Sequence, residues 1–159
     1  MKTVHITDIE QIEAIIKECQ VCYVGLADLE GIPYVLPMNF GYKDNTVYLH
    51  SAPTGKSLEI LEGNNNICLT FSTDHSLVFQ HPKVACSYRV KSKSVVAWGK
   101  VIFEDNFESK IEALNIIMSQ YSNQDFEYST PAINNVKIWK INLDKISCKA
   151  FGEPHQAIK

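Results

Sequence analysis

The feature that most constrains the fold of this chain is a run of extended segments separated by very short turns. Residues 21–29 and 32–42 are rich in β-branched and aromatic side chains, and only Glu30-Gly31 stands between them. A second short turn leads to residues 46–51, where aliphatic and aromatic residues alternate. Connections of two or three residues join antiparallel strands, because a parallel pair needs a crossover of a dozen or more residues. These segments therefore predict an antiparallel meander.

Two longer segments have helical rather than extended periodicity. Thr7 and Glu10 have the spacing of a capping box, and the isoleucines that follow predict a helix over residues 8–19. Apolar residues recur at intervals of three and four over residues 107–121, which predicts a second long helix with Asn106 as its N-cap. Both helices have one apolar face, as expected of helices that pack against a core.

The rest of the chain adds strands but no crossover units. Further strands are predicted at residues 67–72, 77–80, 84–89, 94–104 and 136–143, with a polar loop over residues 122–135. The chain has no βαβ rhythm and no phosphate loop of the GxGxxG or GxxxxGK[ST] kind. The predicted fold class is therefore mainly β: one domain over residues 1–159, built as a small antiparallel β-barrel of six or seven strands with three peripheral helices.

The composition and net charge argue against some classes of binding partner. A length of 159 residues suits one domain with a core of its own, and the 45% hydrophobic and 21% charged residues are typical of a globular chain. There are 15 basic and 18 acidic residues, so the formal net charge is -3. Without a basic excess we expect no nucleic-acid partner and no membrane partner.

The cysteines and the first residues bear on location and metal binding. No positively charged region followed by an apolar run opens the sequence, and no stretch approaches the roughly 20 apolar residues of a membrane helix. Five scattered cysteines then indicate reduced thiols and a cytoplasmic protein. Cys19 and Cys22 form a lone CxxC, for which core thiols are favoured over zinc, and His75, His81 and Cys86 match no usual zinc spacing. No metal site is expected.

The strongest local feature is the segment HSAPTGKSLEIL, residues 50–61. A strand ends in His50-Ser51, and a short helix over residues 56–62 opens with Lys56-Ser57. Free N–H groups at a helix start, the helix dipole and a lysine together favour an anion such as phosphate. The alternative is an ordinary helix start, capped by Thr54, with a solvated lysine.

The second local feature is VLPMNFGY, residues 35–42. Pro37 removes a donor from the strand ladder, which indicates an edge strand or a bulge. Met38 and Phe40 flank Asn39, so apolar and polar groups alternate. A flat aromatic ligand laid against this strand could hydrogen-bond its main-chain groups; the alternative is an edge strand in the wall of the core.

These two segments, read in order as YVLPMNFGYKDNTVYLHSAPTGKSLEIL and followed by YRVKSKSVVAWGKV, resemble the flavin-binding split-barrel proteins related to pyridoxamine 5′-phosphate oxidase. Within that superfamily the chain is most similar to the nitroimidazole-resistance subgroup, from about Ile9 to Ala150. The resemblance implies an antiparallel split barrel of Greek-key type. It also implies a homodimer that holds one FMN at each of two sites along the subunit interface.

The resemblance further implies a set of cofactor-binding residues. Those expected along the isoalloxazine edge are Pro37, Met38, Asn39 and Phe40, and those expected near the ribityl chain and phosphate are His50, Ser51, Lys56 and Ser57. Ser94, Val95 and Val96 would pass the ring from its other side, and Trp139 and Lys140 lie on the strand from which the partner subunit would reach the flavin. Three features depart from the family pattern: Ser57 stands where a second basic residue is common, Lys91-Ser92-Lys93 is inserted before SVVAWG, and Cys148 stands where glycine is usual.

The resulting hypothesis is an FMN-dependent reductase that takes electrons from NAD(P)H and passes them to a small acceptor such as a nitroaromatic compound. His50 is the only candidate for a catalytic residue, and positioning of the cofactor is its alternative role. Oxidation of pyridoxamine phosphate is disfavoured, because the basic residues for a second phosphate are not found. The remaining alternatives are a module that stores or senses FMN and a split-barrel protein that binds haem in the same cleft.

Overall fold

The fold is one antiparallel sheet with helices packed against it, in a computed structural model that describes residues 2–153. The strands are β1 (Lys2–Ile6), β2 (Cys22–Ala27), β3 (Pro33–Met38), β4 (Gly41–Lys43), β5 (Thr46–Ser51), β6 (Asn66–Val78), β7 (Arg89–Glu104) and β8 (Lys137–Glu153). The helices are α1 (Ile9–Glu18), α2 (Lys56–Gly63), α3 (Phe107–Ser119) and α4 (Thr130–Asn134). The paired strands of the described chain all run antiparallel, which confirms the predicted mainly β barrel with peripheral helices.

The order of the strands explains how the barrel is split. The sheet runs β3-β2-β6-β7-β8-β5-β4, and β1 pairs with the distal part of β8. Its two end strands, β3 and β4, are consecutive in the chain and are joined only by Asn39 and Phe40, so the single strand predicted over residues 32–42 is two strands that do not pair with each other. The sheet must therefore curl until its ends meet, and a two-residue link rather than a hydrogen-bonded ladder closes it.

Alternate side chains of the strands fill the interior. Large fully buried members of this core include Val24, Leu69, Phe71, Val95 and Trp139. Helix α1 packs against β6 and β7 and adds Ile12, Ile15 and Ile16 to the same cluster. Asp8, rather than Thr7, caps this helix, since its Oδ1 accepts a hydrogen bond of 2.9 Å from the Gln11 N–H. The helix therefore begins one residue later than a capping box at Thr7 would place it.

Helix α3 covers the opposite side of the sheet, over β4 and β5. Its N-cap is Asn106, as predicted, with the side chain accepting from the Ser109 N–H. The approach to β4 is close: a Cβ built on Gly41 would lie 2.6 Å from backbone atoms of Ile116. Just past the end of α3, the Tyr121 hydroxyl accepts from the Phe40 N–H and donates to the Gln20 carbonyl. The helix thereby fixes the link at which the barrel is split.

Several element boundaries differ from the sequence-based expectation. The two strands predicted at residues 67–72 and 77–80 form one strand, because Asp74 takes up an extra residue in a bulge at φ 60°. The strand predicted at residues 84–89 is instead a loop with a 3-10 turn at Ala85–Ser87, and β7 runs unbroken from Arg89 through the polar Lys91-Ser92-Lys93.

The last strand is longer than predicted, and two elements were missed. The register of β8 shifts by one residue between the partners of Trp98 and Gly99, so that Asp144 is accommodated as an extra residue. Strand β8 then continues to Glu153, ten residues beyond Leu143. Strand β1 and the short helix α4 were not predicted; α4 begins after a Ser129 cap within the expected loop. Within residues 2–153, no helix combines the length and the apolar character needed to cross a membrane.

Candidate functional site

The split brings the two motifs of the sequence together. Pro37 and Met38 end β3, and His50-Ser51 end β5. Gly41 pairs with Tyr48 in an antiparallel register, so the residues before Gly41 lie toward the residues after Tyr48. The Asn39–Phe40 link therefore leaves β4 beside the His50 end of β5, and we call the place where these two segments meet the opening of the split.

Side chains on the β3 side of this opening differ in how much of their surface is exposed to a ligand. Pro37 and Asn39 are exposed, with the Asn39 amide donating to the Gln20 carbonyl at 3.4 Å. Met38 is half-buried against the core, and Phe40 is fully buried with its ring edge-on to Phe71, the ring centroids 4.9 Å apart. Only Pro37 and Asn39 therefore present much side-chain surface here.

Ser51 is held in place by Trp139. The Ser51 Oγ accepts a hydrogen bond of 3.1 Å from the indole Nε1 and donates to the Ala52 carbonyl at 2.9 Å. Trp139 itself is completely buried and packs edge-on against Phe103. The predicted residue Trp139 thus lies in the described protomer as a support for Ser51, and Ser51 keeps one lone pair for another donor.

His50 is the exposed next-to-last residue of β5 and pairs with Ile138 of β8. Partial burial of its ring lowers the pKa of the imidazole below the ordinary 6.5, because a less solvated ring holds its charge less well. The neutral form therefore predominates at neutral pH.

The start of α2 has the features of an anion site. Its N-cap is Gly55, not Thr54, and no side chain caps the helix. Gly55 has a φ of 141°, and a Cβ added there would meet no atom within 4 Å, so the space in front of the helix is open. The Lys56 side chain is 62% exposed, 3.9 Å from the Glu59 carboxylate, and Ser57 is half-buried. Uncapped N–H groups beside an exposed ammonium can bind a phosphate or another anion.

The remaining predicted residues lie elsewhere on the protomer. Val95 points into the core, whereas Ser94 and Val96 lie on the outer face of β7. Val96 and Pro37 share one row of the sheet, but β2 and β6 stand between them, which places them roughly 14 Å apart. Val96 also pairs with Ser147, nine residues beyond the partner of His50 on β8, or about 30 Å along the strand. One protomer therefore does not bring Ser94 and Val96 to the split.

Lys140 is half-buried on β8 and pairs with Tyr48, two residues before His50. It borders a small cleft with Glu112 of α3. It therefore lies on the β5 side of the split but not at the opening itself.

A cavity of about 550 Å³ that the sequence did not predict lies next to the start of α2. Gly55, Leu58 and Glu62 line one side of it, and Phe103, Asp105 and Lys137 line the other. Lys137 pairs with Ser51 across the strands, and its ammonium contacts the Asp105 carboxylate at 2.7 Å, which lowers the pKa of Asp105. The available signal was the alternation of β8, which places Lys137 on the same side as Trp139.

The family follows from comparison with known proteins. The family model described as pyridoxamine 5′-phosphate oxidase matches residues 8–150 of this chain. The chain belongs to the pyridoxamine 5′-phosphate oxidase family. The resemblance seen in the sequence is thereby confirmed, and with it the split-barrel fold. No curated protein matches the chain.

Solved structures of similar fold include one with high sequence identity. A proposed 5-nitroimidazole antibiotic resistance protein from Bacteroides thetaiotaomicron is 50% identical, with a TM-score of 0.86 over 94% of this chain and 87% of that one. The flavocytochrome Anf3 from Azotobacter vinelandii is 23% identical, with a TM-score of 0.80 over 98% and 72% of the two chains. A FAD and haem binding protein from Mycobacterium smegmatis is 14% identical, with a TM-score of 0.82 over 96% and 76%. The last two share the fold of the family.

The cysteines and histidines considered as metal ligands lie outside the split, in different parts of the fold. Cys19 and Cys22 are buried core thiols, and burial raises the pKa of Cys22 to about 12, so this thiol stays protonated. The His75 ring hydrogen-bonds the Ser72 hydroxyl, and His81 lies in the β6–β7 loop. Across the described part of the chain, no three His, Cys, Asp or Glu side chains form a group that could hold a metal ion.

The outer face of β3, β2, β6 and β7 is unusually apolar for a solvent-facing sheet. Val35 is 66% exposed and Tyr23 is 51% exposed, with Trp98 further along the same face. Pro37 and the half-buried Val96 lie in the row of Tyr23. We refer to these five residues as the outer apolar face. Contiguous apolar surface of this kind marks an interaction site.

Proposed function

We propose that this chain is an FMN-dependent reductase that uses NAD(P)H to reduce small nitroaromatic acceptors. The observation that carries the proposal is the split of the barrel in a member of this family: the β3–β4 link lies beside the His50-Ser51 end of β5, and the open start of α2 follows Ser51 by four residues. The relative that is 50% identical is described as a proposed 5-nitroimidazole antibiotic resistance protein, which supports the class of acceptor.

The residues at the start of α2 fit the phosphate end of FMN. Gly55 leaves room for an anion in front of the uncapped helix, and Lys56 would supply a charge-assisted contact. Ser51, with its Oγ oriented by Trp139, and Ser57 would add hydroxyl contacts. Because Ser57 replaces a second basic residue, we expect FMN to bind through fewer charges than in relatives with a full clamp.

The β3 edge would hold the ring end through its main chain. Pro37 leaves the strand without one donor, Met38 is paired with Cys22 of β2, and the Phe40 N–H is donated to Tyr121. The main-chain groups of Asn39 are therefore those expected to orient the ring. The apolar surface of Pro37 supplies a dry contact for an aromatic ligand.

A second copy of the chain would complete the site. Ser94 and Val96 lie on the outer side of β7, too far from the split of their own protomer to contribute there. Two protomers packed through this face would bring these residues of one copy to the split of the other. We therefore propose a homodimer with two shared sites.

When bound, FMN supplies two-electron transfer between NAD(P)H and the acceptor. For a nitro group, each such reduction consumes one NAD(P)H and one proton and releases NAD(P)⁺, water and the nitroso product. The protein binds and orients the cofactor and excludes water, and a neutral His50 at the split is suited to positioning rather than to donating that proton.

The absorption spectrum of the purified protein, followed by FMN titration, tests the cofactor. We expect flavin bands and saturable binding; a haem Soret band without flavin would contradict the proposal and favour the haem-binding alternative. NAD(P)H oxidation measured with and without a 5-nitroimidazole then tests the reaction. Tight FMN binding without any acceptor-dependent oxidation would indicate a storage or sensing module instead.

A further inference from the structure

Strands β6 and β7 continue past the sheet as a two-stranded arm, residues 76–91. Leu77 pairs with Val90 across it, beyond the bulge at Asp74. The pairing of β7 with β8 ends at Ser92, opposite Phe151, and the next residue of β8, Gly152, still lies against Val90 and Lys91. Within residues 2–153, β8 therefore flanks only the base of the arm. A hydrogen bond of 2.8 Å from the Arg89 Nε to the Gly152 carbonyl anchors its base.

The tip of the arm has a defined shape. The rings of Phe79 and Tyr88 stack with centroids 4.7 Å apart and an interplanar angle of 24°. The Tyr88 hydroxyl donates to the Pro82 carbonyl at 2.8 Å, and the Ser87 hydroxyl both accepts from the N–H and donates to the carbonyl of His81. These bonds pre-order the tip, so docking it on a surface costs little conformational entropy.

One side of the arm is apolar and exposed. Leu77 is 64% exposed, and Phe79 and Val90 are each 50% exposed. The Leu77–Val90 pairing places Phe79 and Tyr88 next along the same side. A pre-ordered projection that exposes this much apolar surface needs a partner.

The apolar side of the arm is continuous with the outer apolar face. Val90, Ser94, Val96 and Trp98 are separated by even numbers of residues on β7, which has no bulge between them, so they lie on one face. Val90 is four residues, or about 13 Å, beyond Ser94. If Ser94 and Val96 lie against the split of a second copy, the arm continues from that point across the same copy.

The charge of the arm also fits a second copy. Residues 76–91 contain three basic residues, Lys83, Arg89 and Lys91, and no acidic residue. Since the whole chain has a net charge of -3, the remaining residues carry a net charge of -6. A basic arm and an acidic body attract one another when two copies meet.

We propose that the arm of each protomer crosses to a second copy of this chain and that its Phe79–Tyr88 pair forms a wall of the partner's cofactor site. This inference rests on the proposed function, whose split site it completes. The aromatic pair offers an apolar aromatic surface against which a planar ligand can pack.

A mixed dimer tests the crossing. One subunit carries Lys56→Glu, which disables its own phosphate site and leaves its arm intact. The other carries Phe79→Ser and Tyr88→Ser, which disable its arm and leave its own split intact. Two affinity tags isolate the mixed dimer, and FMN binding is measured by quenching of flavin fluorescence.

If the arm serves the partner, each parent homodimer binds FMN at least tenfold more weakly than the wild type, because aromatic contacts and charge-assisted contacts are each worth about one factor of ten or more. The mixed dimer then binds one FMN with wild-type affinity, since one of its two sites combines an intact Lys56 with an intact arm. A mixed dimer without a tight site would overturn the proposal, as would an arm variant with unchanged FMN affinity.

The dimer dissociation constant of the protein without added FMN gives a second readout. Leu77→Ser should weaken dimerisation about tenfold, the effect of removing one well-buried aliphatic side chain. Ile32→Ser, at an equally exposed isoleucine in the β2–β3 turn, should leave it unchanged. Equal effects of the two substitutions would refute the crossing. If the wild type dimerises through the arm but binds no FMN, the proposed function fails and the crossing stands.

Discussion

Lys56 is the residue at which the proposed phosphate contact can be tested most directly. Its side chain is largely exposed and its ion pair with Glu59 is long, so Lys56→Ala should leave the fold intact. A charge-assisted contact with phosphate is worth about 1.5–3 kcal/mol, so the substitution should weaken FMN binding roughly tenfold to a hundredfold. Fluorescence titration of the purified protein with FMN measures the change.

Riboflavin and a second lysine provide the controls for this prediction. Riboflavin lacks the phosphate, so the wild type and Lys56→Ala should bind it equally. Lys43→Ala, at an exposed lysine that ends β4 at the turn away from the split, should bind FMN as the wild type does. Equal FMN affinity in the wild type and Lys56→Ala would mean that the phosphate lies elsewhere.

Substitution of His50 distinguishes a role in positioning the cofactor from a role in delivering a proton. If it only shapes the split, His50→Ala should lower FMN occupancy while turnover per bound flavin holds. If it delivers a proton, occupancy should stay near normal while turnover falls, typically 10²–10⁴-fold. We expect the first result, and a hundredfold loss of turnover at full occupancy would refute it.

The pH dependence of His50 follows from the partial burial of its ring. In the folded protein the pKa of the His50 imidazole is lowered from 6.5. A catalytic His50 would therefore give a pH–rate limb below pH 6.5, and this limb would be absent from His50→Ala. The unfolded chain binds this proton more readily, so His50 also reduces the free energy of unfolding as the pH falls through about 6.5. An NMR titration of the His50 ring with its midpoint at or above 6.5 would contradict both statements.

The sequence could indicate candidate residues for the site but not the hydrogen bonds between them. Lys56 and Ser51 belong to one local motif, residues 50–61, which is recognisable in the sequence. The hydrogen bond from Trp139 to Ser51 joins residues 88 positions apart, and only the pairing of β5 with β8 brings them together. A buried indole generally finds an acceptor for its N–H, but the chain alone does not say which one.

At the scale of elements, the packing of α3 on β4 depends on Gly41. A methyl group there would lie 2.6 Å from the backbone of Ile116 and Ile117, and backbone atoms cannot step aside as a side chain can. Gly41→Ala should therefore lower the free energy of unfolding by about 1–3 kcal/mol or more, measured by urea denaturation. Gly25→Ala is the matched control, since its added methyl would lie 3.4 Å or more from its neighbours and should change stability little. Equal stability of the two variants would show that α3 is not seated as closely as described.

Local signals explain which elements were predictable. The hairpins β2–β3 and β4–β5 and the Asn106 cap of α3 rest on turns and on a capping residue within a few positions of each other. The predicted meander is wrong between them, because β3 and β4 do not pair and stand at opposite ends of the sheet. The joining of β6 through Asp74 and the length of β8 depend on bulges that keep long strands in register with neighbours. A short window of sequence does not reveal such long-range pairing. Strand β1 was missed for the same reason, because its partner is more than 140 residues away in the chain.

At the scale of the whole molecule, the proposed homodimer rests on the outer apolar face and on the separation of the predicted site residues. The face that exposes Val35 and Tyr23 also carries Val96, which cannot reach the split of its own protomer. A two-fold axis across this face would cover the apolar surface and complete both sites at once, because an isologous contact places the same patch on each subunit. Obligate interfaces of this kind commonly bury more than about 2,000 Å².

The last prediction is therefore that dimerisation and cofactor binding are lost together. Sedimentation should give the wild type twice the 18.0 kDa mass of one chain at micromolar concentration. Tyr23→Lys combined with Val35→Lys should give a folded monomer, because four lysines would face one another across the two-fold contact without counter-ions. Its FMN affinity should fall with the dimer, since Ser94 and Val96 then have no split within reach. Ile32→Lys adds a charge at an exposed apolar residue of the β2–β3 turn and should change neither property. A wild-type monomer would contradict the assembly, and a monomeric variant with unchanged FMN affinity would contradict the shared site while leaving the fold as described.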